Sequence, residues 1–346
     1  MSRGVGVIGA GPGVAALHLP TLARLRDRFR VSHISDRGSG RAAALAERLG
    51  VPASRGVAEL LADPSVQVIA VCSPPSEHAR NILDAVDAGV TAILCEKPLA
   101  TTAEEAHAVI DACRSAGVRL LVATNHFYDG AWDRAKHHLV ALEGDIRTIA
   151  VTVALPPNDR YHAAVTELEP GAAPARSGPD LADPDLAASV VRQLVLGLAV
   201  HDLPAVRDLA RDFEGVDFAV AVPPIGYTIG FRASGIHVVL TAVMLPDGPD
   251  ALWRLSIGTS ADRVDVEFPP AFVHAGSATV RVRAGDVRTT SYRREPDDGY
   301  LREWQALDAL LEGAATMEYH EVLDDALFTI ALADAAAEAV RRGGTP

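Results

Sequence analysis

Ala92-Ile93-Leu94-Cys95-Glu96-Lys97-Pro98-Leu99 decides how this chain is read. An apolar run stops abruptly at an acid, an amine and a proline. A strand covered on both faces reads as a continuous apolar run, and proline is excluded from its middle. The strand therefore ends at Glu96 and Lys97, the end at which open α/β sheets bind ligands. Pro98 removes a backbone donor and biases Lys97 toward extended geometry. The chain has 32 Lys+Arg, yet only Lys97 and Lys136 are lysines. Lysine can release its proton when desolvated or set beside a cation, whereas arginine cannot. Lys97 is thus a candidate for chemistry as well as for a plain ion pair at a strand end.

Upstream, Val5-Gly6-Val7-Ile8 is a short buried strand that runs into Gly9-Ala10-Gly11-Pro12-Gly13-Val14. An Ala/Leu-rich helical pattern then continues through Arg28. A strand, a glycine turn and a helix form the context a dinucleotide fingerprint requires. Gly9 makes the tight turn, Gly11 lets the backbone approach a pyrophosphate, and the helix amino end receives the negative charge. The third glycine of the pattern falls on Val14, with Gly13 one residue early, so the loop is remodelled. A second strand, Arg30 to Ser35, ends in Asp36, whose carboxylate is placed to accept from the adenosine ribose hydroxyls. Arg37 follows and is the alternative, a reader of a 2′-phosphate. The acid favours NAD over NADP.

The alternation continues with a helix over 40–49, a strand at Val66 to Val71 and the stiff exit Cys72-Ser73-Pro74-Pro75-Ser76-Glu77-His78, with Ser76 as the expected helix cap. After the Glu-Lys-Pro strand come a helix over 103–116 and a strand, Arg119 to Ala123, that ends at Asn125-His126-Phe127-Tyr128. Regular βα alternation predicts a doubly wound parallel sheet, a Rossmann-type domain over residues 1–125.

Beyond residue 130 the grammar changes. A strand at Ile146 to Ala154 is followed by a long Pro/Gly/Asp-rich stretch, 156–184, of the kind that forms lids or binding loops. Arg160, Tyr161 and His162 are its polar cluster. Residues 186–212 read as a helix kinked at Pro204. Seven strands in series with short turns, from 216 to 292, predict a large, mostly antiparallel open sheet. Helices over 299–312 and 319–341 close an α+β second domain, 126–346, and the last helix is expected to pack back on the first domain.

Composition narrows the classes. A net charge of -13 opposes a nucleic-acid partner, which needs a basic face. No apolar run reaches the roughly 20 residues that span a bilayer. The amino terminus enters a strand directly, so no signal peptide and a cytoplasmic location are expected. Three scattered cysteines fit free thiols in a reducing compartment, and none of the 12 histidines has metal spacing. No metal and no membrane partner is expected.

With these pieces placed, the chain resembles the glucose–fructose oxidoreductase / inositol dehydrogenase / rhizopine-catabolism (Gfo/Idh/MocA) family. The resemblance rests on Gly9-Ala10-Gly11, Asp36, Ser73-Pro74-Pro75-Ser76-Glu77-His78, Cys95-Glu96-Lys97-Pro98 and Asn125. It implies an oxidoreductase that holds NAD(P) in the first domain and uses the second domain's sheet for homodimer or homotetramer contacts. It implies hydride exchange with a hydroxyl-bearing carbon of a sugar, cyclitol or amino-sugar-like substrate. The cofactor shell it implies is Gly9, Gly11, Pro12 and Gly13, Asp36 and Arg37, Ser73, Pro74 and His78, and Glu96, Lys97 and Asn125.

The family's second motif, D-x-G-x-H, aligns with Gly197-Leu198-Ala199-Val200-His201. His201 matches the histidine that exchanges the alcohol proton, and the aspartate position holds Gly197. On a continuous helix Gly197 would share a face with His201, and Gln193, one turn further back, is the expected neutral partner. Asp202 points about 100° away and is not counted as a substitute. Lys97 and His201 are the catalytic candidates, with Glu96 orienting Lys97. Asn125, His126, Arg160, Tyr161 and Gln193 complete the expected substrate shell. Two other classes stay open: a redox-neutral lyase, deglycosylase or imine reductase on the same scaffold, and a nucleotide-binding sensor that lost turnover.

Overall fold

The computed structural model describes residues 2–141, 144–156, 179–245, 251–270, 273–285 and 288–343. The chain divides into two units, Met1–Thr124 with Tyr300–Leu327, and Asn125–Gly299 with Phe328–Pro346. The segment that returns to the first unit, Tyr300–Leu327, takes in most of the helix before last; the closing helix, expected there whole, is divided, and from Phe328 on it belongs to the second unit.

The first unit holds β1 (Arg3–Ile8), β2 (Phe29–Asp36), β3 (Ala53–Arg55), β4 (Val68–Val71), β5 (Ala92–Glu96) and β6 (Arg119–Ala123). All pair in parallel, in the order β3-β2-β1-β4-β5-β6. Helices α1 (Leu19–Arg24), α2 (Arg41–Leu49), α3 (Ala58–Ala62), α4 (His78–Asp87) and α5 (Ala103–Ala116) alternate with the strands. Every residue of β4 is buried, as a strand covered on both faces requires. The strand order reverses between β1 and β4, the crevice where such sheets take dinucleotides.

Two local departures from expectation matter. The helix after the glycine turn does not run regularly to Arg28. Val14–His18 is a π-turn closed by Leu19 N–H to Val14 O, and α1 ends at Arg24. Pro20 cannot donate to the carbonyl four residues back, and the wider turn absorbs that gap. Ser76 is not a cap either: Pro75–Glu77 forms a 3₁₀ turn, and α4 starts at His78 without a side-chain cap. By contrast, Thr102 caps α5, its side chain accepting from Glu105 N–H.

The second unit begins with α6 (Asn125–Tyr128) and α7 (Gly130–Ala141), then β7 (Ile146–Leu155), α8 (Pro184–Gly197) and α9 (Leu203–Leu209). The strands that follow are β8 (Phe213–Ala221), β9 (Ile225–Ala233), β10 (Ile236–Met244), β11 (Leu252–Thr259), β12 (Asp262–Glu267), β13 (Thr279–Ala284) and β14 (Arg288–Tyr292). They form one sheet in the order β14-β13-β12-β11-β7-β10-β9-β8. Pairing is antiparallel except between β7 and β10. Val238, Leu240 and Ala242 of β10 face the core, beside buried Tyr227 and Phe231. Helices α10 (Gly299–Leu311) and α11 (Tyr319–Arg341) end the chain. Among the described residues no single helix is long and apolar enough to cross a membrane.

Candidate active site

In the first unit a cavity of about 440 Å³ opens at the strand-order reversal. Gly9, Gly11, Asp36, Arg37, Ser73 and Pro74 are among the residues that line it. Gly9 has φ +109°, and a Cβ there would lie 2.4 Å from the Cys72 carbonyl oxygen. Only glycine lets the β1 turn pass so close to the end of β4. A Cβ at Gly11 would meet nothing within 4 Å, so this backbone faces open space. A bare glycine turn, an acid at the end of β2 and a cavity of this size fit a dinucleotide.

Asp36 is held by its own loop. Its carboxylate accepts from Gly38 N–H at 2.7 Å, from Ala42 N–H at 3.1 Å and from the Ser39 hydroxyl. Burial pushes its pKa up, but these donors outweigh it and the net shift is down. It therefore presents a fixed negative charge. Arg37 and Arg80 both pair with Glu77, at 3.5 and 2.7 Å.

At the end of β5, Glu96 turns its side chain back over the chain. One oxygen accepts from the Lys97 backbone N–H at 3.2 Å and the other from His18 Nε2 at 2.8 Å. The Lys97–Pro98 peptide is cis. Loss of water around the Lys97 amine lowers its pKa, and the negative charge of Glu96 opposes that shift. Trp304, fully buried on α10, directs Nε1–H to His18 Nδ1 at 3.3 Å. His78 is buried, with Nδ1 2.7 Å from the Pro98 carbonyl and Nε2 2.7 Å from that of Ser73. Both ring nitrogens are engaged inside the protein, so His78 ties the Ser73 and Pro98 loops together. The Ser73 hydroxyl accepts from Asn81 Nδ2 at 2.8 Å.

The second unit carries a separate buried polar cluster. His201 Nδ1 lies 2.6 Å from Asn125 Oδ1. His126 Nδ1 lies 2.8 Å from Asp202 Oδ1, and Trp253 Nε1–H donates to Asp202 Oδ2 at 2.8 Å. The His126 ring stacks on Phe268 at 3.7 Å, and its centroid is 5.4 Å from that of His201. α8 ends at Gly197; Ala199–His201 forms a 3₁₀ turn, and α9 leaves at 69° to the preceding helix. The bend falls beside Pro204, where a kink is expected, and the 3₁₀ turn before it tightens the stretch between Gly197 and His201. Gly197 and His201 do not share a regular helical face, and Gln193 is exposed on α8. The neutral partner of His201 is Asn125. Asp202, set aside as a substitute for the missing carboxylate, serves His126 instead.

Arg160, Tyr161 and His162 lie outside the described residues. Pro12 and Gly13 line the start of the π-turn, with Gly13 in right-handed helical geometry as its cap. Neither the His18–Trp304 contact of the first unit nor the Asp202–Trp253 contact of the second carries a local signal in the sequence. His18 sits in an Ala/Leu run, and its partner Trp304 is 286 residues away. Among the described residues no group of His, Cys, Asp or Glu is arranged to hold a metal.

Residues 3–124 match the oxidoreductase family of NAD-binding Rossmann fold, Gfo/Idh/MocA. A D-xylose 1-dehydrogenase (NADP+) from Haloferax volcanii is 30% identical over 323 residues, 90% of each chain. An inositol 2-dehydrogenase from Saccharopolyspora erythraea is 30% identical over 170 residues, 48% of this chain and 49% of its own. The solved structure of a UDP-N-acetylglucosamine 3-dehydrogenase from Acidithiobacillus ferrooxidans superposes with TM-score 0.73 at 20% identity, covering 98% of this chain and 99% of its own. The chain belongs to the Gfo/Idh/MocA family. It is an NAD(P)-dependent oxidoreductase.

Proposed function

We propose that the chain moves a hydride between NAD(P) and a hydroxyl-bearing carbon, or the matching ketone, of a sugar, cyclitol or amino-sugar-like substrate. The observation that carries this reading is Lys97: an amine with lowered proton affinity at the carboxyl end of β5, its backbone held by Glu96. Bound NAD(P) supplies the hydride acceptor or donor. Lys97 donates a hydrogen bond to the substrate oxygen and stabilises charge that develops there. His201 keeps its Nδ1 proton on Asn125, which leaves Nε2 to take or return the hydroxyl proton. His126, fixed by Asp202 and Phe268, is a substrate-shell residue. The relatives named for D-xylose and inositol set the first compounds to try.

The test is a cofactor-reduction screen against sugars, cyclitols and amino sugars, D-xylose and myo-inositol included, after any tightly bound cofactor is identified. Stoichiometric growth of reduced cofactor with one class supports the proposal. Product formation without net change in cofactor would replace it with the redox-neutral lyase, and no turnover of any class would favour the sensor.

A further inference from the structure

Two consecutive residues of α6 pair with two consecutive residues at the start of α9. Asn125 Oδ1 lies 2.6 Å from His201 Nδ1, and His126 Nδ1 lies 2.8 Å from Asp202 Oδ1. One acceptor is an amide and the other a carboxylate, and the second unit supplies the reason. Asp202 serves another donor, the Trp253 indole N–H, which reaches its Oδ2 at 2.8 Å. An indole N–H only donates, so an amide at 202 could accept from one neighbour and would oppose the other, whereas a carboxylate accepts from both. Asp202 is 1% exposed, and a charge so buried needs such donors. Burial first, and then the negative charge of Asp202, raises the pKa of the nearby Tyr227 phenol.

The His126 ring is clamped as well as bonded. It stacks on Phe268 at 3.7 Å and 8° from parallel, and it meets Trp253 edge-on at 4.6 Å. Phe268 N–H donates to the Trp253 carbonyl at 2.8 Å, so the two flanking aromatics hold each other in place. The other carboxylate near the ring, Asp129, is occupied by the Ala131 and Ala278 N–H groups at 2.8 and 2.9 Å. Asp202 therefore takes the Nδ1 proton, and among the described residues no group bonds to Nε2. We propose that Asp202, shared between Trp253 and His126, is a positioning residue that holds His126 as the Nδ1–H tautomer and makes Nε2 the acceptor for a substrate hydroxyl. This rests on the reading of His126 as a substrate-shell residue. His201 exchanges the proton of the hydroxyl that reacts; His126 accepts from another hydroxyl of the same sugar or cyclitol. A site built to bond a hydroxyl discriminates against a compound that lacks it.

The test reads the tautomer first, without substrate. In protein labelled with ¹⁵N-histidine, the His126 signals, identified by their loss in His126→Gln, should show a protonated Nδ1 and a bare Nε2 at neutral pH. Asp202→Asn keeps the side-chain shape and should reverse this. Its amide oxygen stays with the Trp253 N–H, its NH₂ faces Nδ1, and the ring proton moves to Nε2. Adding Trp253→Phe frees the amide to turn its oxygen to His126 and should bring the Nδ1 proton back. A merely structural Asp202 would give neither the reversal nor the rescue. On the substrate found by the screen, Asp202→Asn should raise KM by about tenfold with a smaller fall in kcat, and the double variant should regain much of that loss. One monodeoxy analogue of that substrate should have the same KM in wild type and Asp202→Asn. Wild-type His126 protonated on Nε2, alone or on both nitrogens, would overturn the proposal whether or not the variants fold. So would an unmoved Nδ1 proton in Asp202→Asn that thermal unfolding shows to be folded. A switched tautomer with unchanged KM would overturn the hydroxyl contact. If the screen finds no turnover, the hydride reading fails instead, and the tautomer still decides whether Asp202 governs His126.

Discussion

His201 Nδ1 lies 2.6 Å from Asn125 Oδ1, and both residues are buried. An amide oxygen only accepts, so this contact places the histidine proton on Nδ1 and leaves Nε2 as the basic nitrogen. The family pattern puts a carboxylate at the position of Gly197; here a neutral amide from α6 orients the ring. Asn125→Leu should lower kcat by about tenfold, ~1.4 kcal/mol of transition-state stabilisation, because the ring can then adopt the wrong tautomer. Asn125→Asp should keep turnover near wild type, since a carboxylate accepts the same proton. Steady-state kinetics of the two variants check this; equal rates for Leu and wild type would remove Asn125 from the site.

Cofactor preference follows from Asp36. Its charge is fixed by Gly38, Ser39 and Ala42, and it lines the cavity. Arg37 and Arg80 are paired with Glu77, which offsets their pull on a 2′-phosphate. NAD(H) should bind at least about tenfold more tightly than NADP(H), ~1.4 kcal/mol. Asp36→Asn, which keeps an acceptor for the loop amides, should narrow that gap. Fluorescence titration of both cofactors measures it, and equal dissociation constants in the wild type would make Arg37 the reader.

Acid stability should register one buried-edge pair. Asp63 accepts from the Ser65 and His33 side of its loop, with His33 Nδ1 at 2.9 Å, and its pKa is lowered to about 2. Ser65 contributes most and His33 next. A depressed carboxylate stabilises the fold above its unfolded pKa and loses that effect as pH falls through the folded value. The contribution, reduced by solvent screening at this edge site, is complete above roughly pH 5 and lost between about pH 4 and 2. Asp63→Asn should therefore be less stable than wild type at pH 7, with the difference closing toward pH 2. Urea unfolding across that range provides the measurement.

The open face of the large sheet carries exposed apolar side chains. Phe218 and Val220 on β8 and Val239 on β10 are 37%, 50% and 38% exposed. Phe218 and Val239 both register with Gly230, and a Cβ on Gly230 would lie 2.2 Å from the Phe218 ring. The ring thus lies over the glycine and widens an apolar surface. Val238, Leu240 and Ala242, the alternate residues of β10, are buried in the core and take no part in this face. A homodimer or homotetramer built on this face is expected. Light scattering should give a multiple of 36.4 kDa, and Val239→Asp with Phe218→Asp should reduce it to the monomer. A wild-type monomer at micromolar concentration would reject the assembly.

The fold was legible because its signals are local. Three strand ends in the first unit are marked by a turn residue or a charge: Gly9 after β1, Asp36 closing β2, Glu96 closing β5. The serial strands after residue 213 announced an antiparallel sheet. What escaped depends on distant partners. His18 looks like one polar residue in an apolar helix until Trp304 and Glu96 are placed beside it. A helical angle sets Asp202 apart from His201, but only the bend between His201 and Leu203 and the placing of α6 show that its partner is His126. The π-turn follows from Pro20, a signal present in the sequence, but its consequence for His18 needs the packed core. The parallel β7–β10 pair likewise joins segments far apart in sequence, beyond the reach of period and turn chemistry.

The last prediction concerns Lys97 and His201 together. The phosphate-binding turn lies at Gly9 to Gly13, and Lys97 follows a different strand, so Lys97→Met should leave cofactor affinity nearly intact. Turnover should fall by about 10²-fold or more, the scale of a single acid–base or charge-stabilising group. Lys97→Arg should do little better, because a guanidinium keeps its proton and its planar fork is the wrong shape. His201→Ala should cost a similar factor, in kcat more than in cofactor binding. If both groups serve one substrate oxygen, removing either disables the same step, and the double variant should be scarcely worse than each single one. Independent roles would instead multiply the two losses. Single-turnover measurement of hydride transfer on the substrate from the screen separates these outcomes. Wild-type rates in both Lys97→Met and His201→Ala would withdraw the catalytic assignment and leave a nucleotide-binding protein whose chemistry lies elsewhere.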